Sequence, residues 1–499
     1  MTGTAISPSE SGGLIRRLDN SAFSPRHALI YAVLLVGHFF DGYLINVTGV
    51  VIPGASKSFH IGSGEAGWFS TALFAGMLGG AAIAGIVSDR MGRKYPLAAS
   101  IIVFGVFSLV AVFSVDYPML LTARVIQGIG LGAEIAIVLP YIAEFAPARH
   151  RGPMVALATA GWLVGLPVAA GIATWVVPAM TWRGMFIIGT IPVLAGVAVA
   201  VVVPESVRYL LQRNRGADAA RIVGQLALLP EPVPGSAQEP DLGPAPGPAS
   251  PEPGAVPARI AGRKPTAGAV WNLLSPTYLA YTLAIWLMAL CAGAFLYGLG
   301  TWLPTVLEKQ GNGLLHSFTY TAIISAVGVV GSVVASQAIN KLGRRWVLAP
   351  SFLISGVFCL LWGTVSGTTA IVILGSLATF FGSGVAGSTL FAYSAELYPT
   401  TIRATGLGWN AAWQKAGGLI IPTIIGYILA MHTSTYAFFV LFAVISFIAG
   451  LAGLVTVETR GKTVEQITAD LTGRRARPRP AAAAATTTNT SATDTMSEG

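Results

Sequence analysis

The sequence predicts an all-α membrane protein in which twelve transmembrane helices form two pseudo-symmetric bundles of six. Three observations carry that expectation. Of 499 residues, 54% are hydrophobic and only 10% charged, against about 25% charged in ordinary soluble domains, and the mean hydropathy is +0.68. Twelve apolar runs have roughly the 20-residue length with which a helix crosses hydrocarbon while satisfying its own backbone hydrogen bonds. The chain also repeats itself. Glu144-x-x-Pro147-x-x-x-Arg151 recurs 252 residues later as Glu396-x-x-Pro399-x-x-x-Arg403, and Asp89-x-x-Gly92-Arg93-Lys94 recurs 251 residues later as Asn340-x-x-Gly343-Arg344-Arg345. A duplicated helical unit of this kind builds a substrate cavity at the seam of its halves.

In chain order, an N-terminal segment (1–27) precedes runs at 28–53, 65–87, 97–115, 118–143, 153–178 and 182–204, which form an N-terminal bundle over 28–204. The first run passes through Asp41 without a short apolar region or an A-x-A site, so it reads as a retained span and not as a cleaved signal. Residues 205–276 form a cytoplasmic linker, and its Pro/Gly/Ala/Glu-rich stretch over 230–257 cannot bury a core and is expected to be disordered. Runs at 277–304, 317–340, 345–366, 369–396, 404–430 and 435–457 form a C-terminal bundle over 277–457. The tail, 458–499, turns to Arg/Pro and then Ala/Thr/Ser after Gly473 and is expected to be largely disordered. Gly128, Gly130 and Gly132, with others at helical spacing, allow close helix packing, and Pro53, Pro140, Pro167, Pro192, Pro304 and Pro422 allow local bends.

Charge sets the orientation. With both termini on one side, Arg16, Arg17, Arg26, Arg90, Arg93, Lys94, Arg149, Arg151, Lys341, Arg344, Arg345 and Arg403 share that face, while the other receives only Lys57, Arg183 and Lys309. The positive-inside rule therefore places both termini in the cytoplasm of a multi-pass plasma (inner) membrane protein. The net charge of +9 is topology, and nucleic acid is not an expected partner. The expected partners are a small-molecule substrate, protons and the lipid bilayer, with the chain a monomer. Cys291 and Cys359 lie in separate apolar runs without metal-ligand spacing and read as small packing residues. No metal or other cofactor is expected.

Four charges fall inside apolar runs: Asp41, Arg124, Glu134 and Lys415. Each costs about 2.5–3.5 kcal/mol on insertion scales, so each is expected to face a wet cavity or another charge. Asp41 and Arg124 can alternate between pairing and separation, which links protonation to conformation; a permanent structural pair is the competing reading. Glu134 stands ten residues from Arg124, about 15 Å along a helix, and is a second candidate proton carrier. His38, one turn before Asp41, can tune it, although a lone histidine in an apolar helix is more often a packing residue. Lys415 would attract a carboxylate entering the cavity, with Trp409 or Trp413 as a wall for a ring; the competing reading is a lysine that neutralises Asp41 or Glu134. Tyr43, Asn46, Gln127, Tyr297, Tyr393 and Asn410 are further candidates for substrate contacts.

The sequence Gly85-x-x-x-Asp89-Arg90-Met91-Gly92-Arg93-Lys94 resembles the signature of the major facilitator superfamily. Pro204-Glu205-Ser206-Val207-Arg208-Tyr209-Leu210 and Glu458-Thr459-Arg460-Gly461-Lys462 are similar to the branch that holds sugar porters, aromatic-acid/proton symporters and nicotinate-type carriers. The resemblance implies the major facilitator fold, alternating access and no enzymatic activity. It implies gating roles for Gly85, Asp89, Arg90, Gly92, Arg93, Lys94, Glu144, Arg151, Asn340, Gly343, Arg344, Arg345, Glu396 and Arg403. Asp89 is expected at the amino end of the eleventh helix, paired with Arg93 and approached closely through Gly85; Asn340 and Ser336 leave the second latch weaker and uncharged. Arg124-x-x-Gln127-Gly128 resembles the fourth-helix motif associated with proton coupling, and Gly130-Leu131-Gly132-Ala133-Glu134 a pattern found among nicotinate-type carriers. Aromatic-acid symporters carry Asp-Gly-aromatic-Asp in the first helix, whereas this chain has Asp41-Gly42-Tyr43-Leu44. Sugar porters place that acid at the Leu44 position, and their glutamine-rich motif is missing from Leu287–Gly300, which disfavours hexoses.

The expected function is secondary active transport, proton-coupled symport of a small organic acid by alternating access. Sugar or polyol symport and proton-driven export are alternatives, and a non-transporting metabolite receptor is the reading from another class. The water-facing segments offer no nucleophile-base pair, metal cluster or phosphate loop, so an enzyme is not expected.

Overall fold

Twelve long helices build the molecule. The computed structural model describes residues 8–226, 268–365, 367–399, 401–431, 435–462 and 464–471; the expected disorder over 230–257 and beyond Gly473 falls outside them. The first six helices are α1 (Pro25–Phe59), α2 (Ser63–Met91), α3 (Lys94–Val112), α4 (Tyr117–Phe145), α5 (Ala148–Met180) and α6 (Arg183–Val202). The second six are α7 (Leu279–Lys309), α8 (Leu314–Leu342), α9 (Arg344–Thr364), α10 (Thr368–Leu397), α11 (Arg403–Ala430) and α12 (Thr435–Leu454). Eleven of them are long and apolar enough to cross a membrane. The other, α11, has 28 residues and is long enough to span, but Gln414 and Lys415 dilute its apolar character.

Helix ends differ from the apolar runs for local reasons. Pro53 lies inside α1, which continues to Phe59, because an internal proline bends a helix where its neighbours hold it. At the other end Ser24 caps α1, its hydroxyl accepting from the His27 amide. Within α10 a π-helical stretch runs over Phe380–Ala386, where Gly331 and Gly384 bring α8 and α10 into backbone contact.

Packing follows the repeat. In the first bundle α2 packs on α4, α1 on α5, and α3 on α4 and α6. Adding six to each number gives the contacts α8 on α10, α7 on α11 and α9 on α12, which are found in the second bundle. The bundles meet where α2 packs on α11, α5 on α8, and α1 on α7. The first two of these contacts are counterparts under the repeat; the third is its own counterpart.

The named contacts across the seam crowd toward the side away from the termini. A Cβ on Gly49 would strike the Gly300 carbonyl, and one on Gly67 would lie 2.7 Å from the Thr423 Cα. Ser70 Oγ lies 3.2 Å from Thr301 Oγ1, and Thr71 Oγ1 donates to the Leu419 carbonyl at 2.7 Å. Lys57 pairs with Glu308 at 3.0 Å, two residues 251 positions apart and therefore equivalent in the repeat. On the side of the termini, Gly85 of α2 finds no atom within 4 Å of where a Cβ would stand. The contacts named here close the seam on the side away from the termini. Gly67→Leu is expected to prevent that seal: uptake should fall more than tenfold in a variant that still inserts, and a cysteine placed at Ser70 should react faster with an impermeant thiol reagent.

Candidate functional site

Asp41, near the middle of α1, is fully buried. Its Oδ2 accepts a 2.6 Å hydrogen bond from the Trp162 indole of α5, and its Oδ1 has no partner. The helix crossing that permits this is backbone to backbone. The Trp162 carbonyl stands where a Gly42 side chain would be, and Gly165 packs on Gly42 and the Tyr43 amide. Two glycines thus fix the Trp162 main chain beside Asp41.

One turn back along α1, His38 Nδ1 stands 3.3 Å from both carboxylate oxygens of Glu134 on α4. Single atoms of His38, Asp41 and Glu134 lie within 4.8 Å of one another, and all three residues are buried. Two acids and an imidazole this close can hold different numbers of protons between them. From the other bundle comes Lys415 of α11. Its Nζ donates to the Tyr297 hydroxyl at 2.8 Å and lies 5.0 Å from the Tyr297 ring and 5.6 Å from the Trp162 ring. Phe74 meets the Tyr297 ring at 4.6 Å and Gly418 packs between the two. Carboxylates from one half and a cation from the other therefore share an aromatic wall at the seam.

Arg124 stands apart from this group, so the expected Asp41–Arg124 pair is not formed in this structure. Its guanidinium donates to Thr48 Oγ1, to Gln127 Oε1 at 2.5 Å and to the Leu44 carbonyl, and it lies 4.6 Å from the Phe69 ring. Thr48 is two helical turns beyond Asp41, so the two charges sit on facing helices at different depths. A charge without an acid partner is here held by oxygens and ring faces.

Several expected substrate contacts are spent on structure. Tyr43 donates to the Met185 carbonyl of α6 at 3.0 Å, Gln127 to the Phe104 carbonyl at 3.2 Å, and Asn410 to Ser394 Oγ at 2.9 Å. The Tyr393 hydroxyl accepts from the Val457 amide at 3.2 Å, far from Asp41 along the chain's path to the termini side. Asn46 donates to the Gly42 carbonyl one turn back, at 2.8 Å. Trp409 and Trp413 both pack against Trp286 at a tilt, with centroids at 5.2 and 5.7 Å, and neither is among the rings found near Lys415. Of the candidate substrate residues, Lys415 and Tyr297 meet each other.

The gating residues form a second constellation, with partners other than those expected. Arg93 Nε bonds Glu144 at 3.0 Å, and Arg344 bonds Glu396 at 2.7 Å. The two repeated motifs are each other's partners. Glu205 accepts from the Arg93 and Lys94 amides at 2.8 and 3.3 Å, and Glu458 from the Arg344 and Arg345 amides at 2.9 and 3.1 Å. The carboxylates that occupy helix amino termini are thus Glu205 at α3 and Glu458 at α9. Gly92 and Gly343 make this possible, with φ of 91° and 98° and a carboxylate where a Cβ would be. Asp89 is exposed and has neither Arg93 nor the start of α11 as a partner in this structure. Asn340 donates to the Ser336 carbonyl. Both halves therefore carry a charged Arg–Glu contact, beside the expected difference between Asp89 and Asn340. Around them the Arg90 carbonyl accepts from Tyr209, Arg151 pairs with Asp19 at 2.6 Å, Arg403 bonds the Tyr398 carbonyl at 3.2 Å, and Arg345 Nη2 bonds the Leu454 carbonyl.

Of the central group, Trp162 was not singled out from the sequence, and His38 was favoured there as a packing residue. His38 reads as packing until Glu134 faces it from α4. Trp162 has no marking at all in an apolar run; the signal available was Gly42 after Asp41, a small residue that invites a close helix at that depth.

The model of the Major Facilitator Superfamily matches residues 34–422 and 320–489, and the chain belongs to that family. It is similar to the "Niacin transporter NiaP" of Acinetobacter baylyi, 28% identical over 91% of this chain and 99% of the relative. It is also similar to the "4-hydroxybenzoate transporter PcaK" of Pseudomonas putida, 30% identical over 77% of this chain and 82% of the relative. Among solved structures, a D-xylose-proton symporter superimposes with a TM-score of 0.65 at 18% identity, covering 87% of this chain and 99% of that one, which shows a common fold. The chain is a multi-pass membrane transporter and not an enzyme.

The Arg124 site yields a stability prediction. Arg124→Lys leaves Thr48 and Gln127 short of donors in a dry setting, at a cost of about 2 kcal/mol, so the melting temperature in detergent should drop by several degrees.

Proposed function

We propose that this transporter is a proton symporter that imports a small aromatic or heteroaromatic monocarboxylate. The observation that carries the reading is the joint site at the seam: Asp41, Glu134 and His38 from one bundle, with Lys415 from the other, around Trp162 and Tyr297. Lys415 takes the substrate carboxylate, the rings flank its ring, and the acid cluster holds the proton. The relatives' names, a niacin transporter and a 4-hydroxybenzoate transporter, support the same substrate class.

In this reading the termini are cytoplasmic, the membrane is the plasma (inner) membrane, the working unit is a monomer, and the structure is an inward-facing state. The Arg93–Glu144 and Arg344–Glu396 contacts tie loops within each bundle, so that each half rocks as a unit. Asp89, Asn340 and Gly85 are free to meet the opposite bundle when the cytoplasmic side closes. A proton moving down 100 mV supplies about 2.3 kcal/mol, a concentration ratio on the order of tens.

The test is uptake of benzoate-like acids, nicotinate, dicarboxylates and sugars into proteoliposomes with and without a proton gradient. Asp41→Asn is expected to lower gradient-driven accumulation more than tenfold while retaining exchange; full accumulation would move the proton to Glu134. Lys415→Ala is expected to weaken anion binding about tenfold or more, and unchanged affinity would remove the substrate-charge argument.

A further inference from the structure

Trp162 touches both halves of the proposed chemistry. The N–H edge of its indole reaches the Asp41 carboxylate at 2.6 Å, and its ring lies 5.6 Å from the Lys415 ammonium. An aromatic ring is positive at its edge and negative on its face, so one indole answers an anion and a cation at once. Among the described residues it is the sole hydrogen-bond donor to Asp41, whose other oxygen is buried without a partner there. Its main chain is pinned against Gly42, which leaves side-chain rotation as its freedom. The helix offers a contrast: Trp175, thirteen residues on, is 83% exposed, as a ring facing lipid would be.

We propose that Trp162 is a positioning residue that couples occupancy of Lys415 to the state of Asp41. This rests on the symport reading above. A substrate carboxylate that takes Lys415 draws the ammonium from the indole face, and a substrate ring entering beside Tyr297 presses on the same indole. Either event shifts the N–H on which Asp41 depends. Conversely, a protonated Asp41 no longer presents a full charge to the N–H and releases the indole toward the substrate. Binding of the acid and binding of the proton become conditional on one another through one side chain.

The experiment compares Trp162→Phe, Asp41→Asn, the double variant and Trp175→Phe in proteoliposomes, reading proton-driven accumulation and substrate exchange separately. Trp162→Phe keeps a ring and loses the N–H. It is expected to lower the accumulation ratio about tenfold, well beyond any fall in the exchange rate, and to have no added effect in the Asp41→Asn background. Trp175→Phe is expected to match the parent in both assays. If exchange and accumulation fall together in Trp162→Phe, if neither falls, or if its effect multiplies that of Asp41→Asn, the inference is overturned. Accumulation by the parent protein that is no greater with a proton gradient than without one would instead sink the symport reading itself, so the two failures are distinguishable.

Discussion

The cost of placing charge in hydrocarbon organises this molecule. An α-helix hides its backbone in lipid by itself, but a carboxylate or ammonium group cannot, and each one that persists needs a partner or a function. Asp41 finds Trp162, Glu134 finds His38, Lys415 finds Tyr297, and Arg124 finds Thr48 and Gln127. The first three sets converge on one place between the bundles. The fourth is held one level away, as part of the first bundle's interior.

The convergence depends on glycine as much as on charge. Helices α1 and α5 approach so closely at Gly42 and Gly165 that a single indole can span from one bundle's acid to the other bundle's cation. Similar small-residue contacts, at Gly49 against Gly300 and Gly67 against Thr423, close the far side of the seam. A chain built on such crossings can rock about its middle, since backbone contacts slide where interlocked side chains do not. The charged ties at the other end, Arg93 with Glu144 and Arg344 with Glu396, run within each bundle and leave the seam between them free to open.

Much of the fold was legible because it is written twice. The displacement of 252 residues between Glu144 and Glu396, and of 251 between Arg93 and Arg344, gave the two bundles, and the apolar runs gave twelve spans. The displacement held a further message that sequence reading missed: the two repeated motifs travel together because Arg93 bonds Glu144 and Arg344 bonds Glu396. Proximity in sequence pointed to Asp89 for Arg93, but a residue four positions away on the same turn is not the one the fold delivers. The separation of Asp41 from Arg124 in this structure escaped sequence reading for a related reason. Sequence places both on cavity-lining helices and says nothing about relative depth, and Arg124 comes level with Leu44 and Thr48. Trp162 and His38 gained their roles only from residues more than ninety positions away, contacts that periodicity does not encode.

The central claim is that one seam site serves a proton and an organic anion together. The most direct measurement is the proton flux that accompanies the substrate: a pH indicator outside proteoliposomes, read as an aromatic monocarboxylate is added, with empty vesicles as the control. The account predicts external alkalinisation that tracks substrate entry and is absent when a neutral sugar replaces the acid. Substrate entry with no proton movement above the empty-vesicle signal would contradict it.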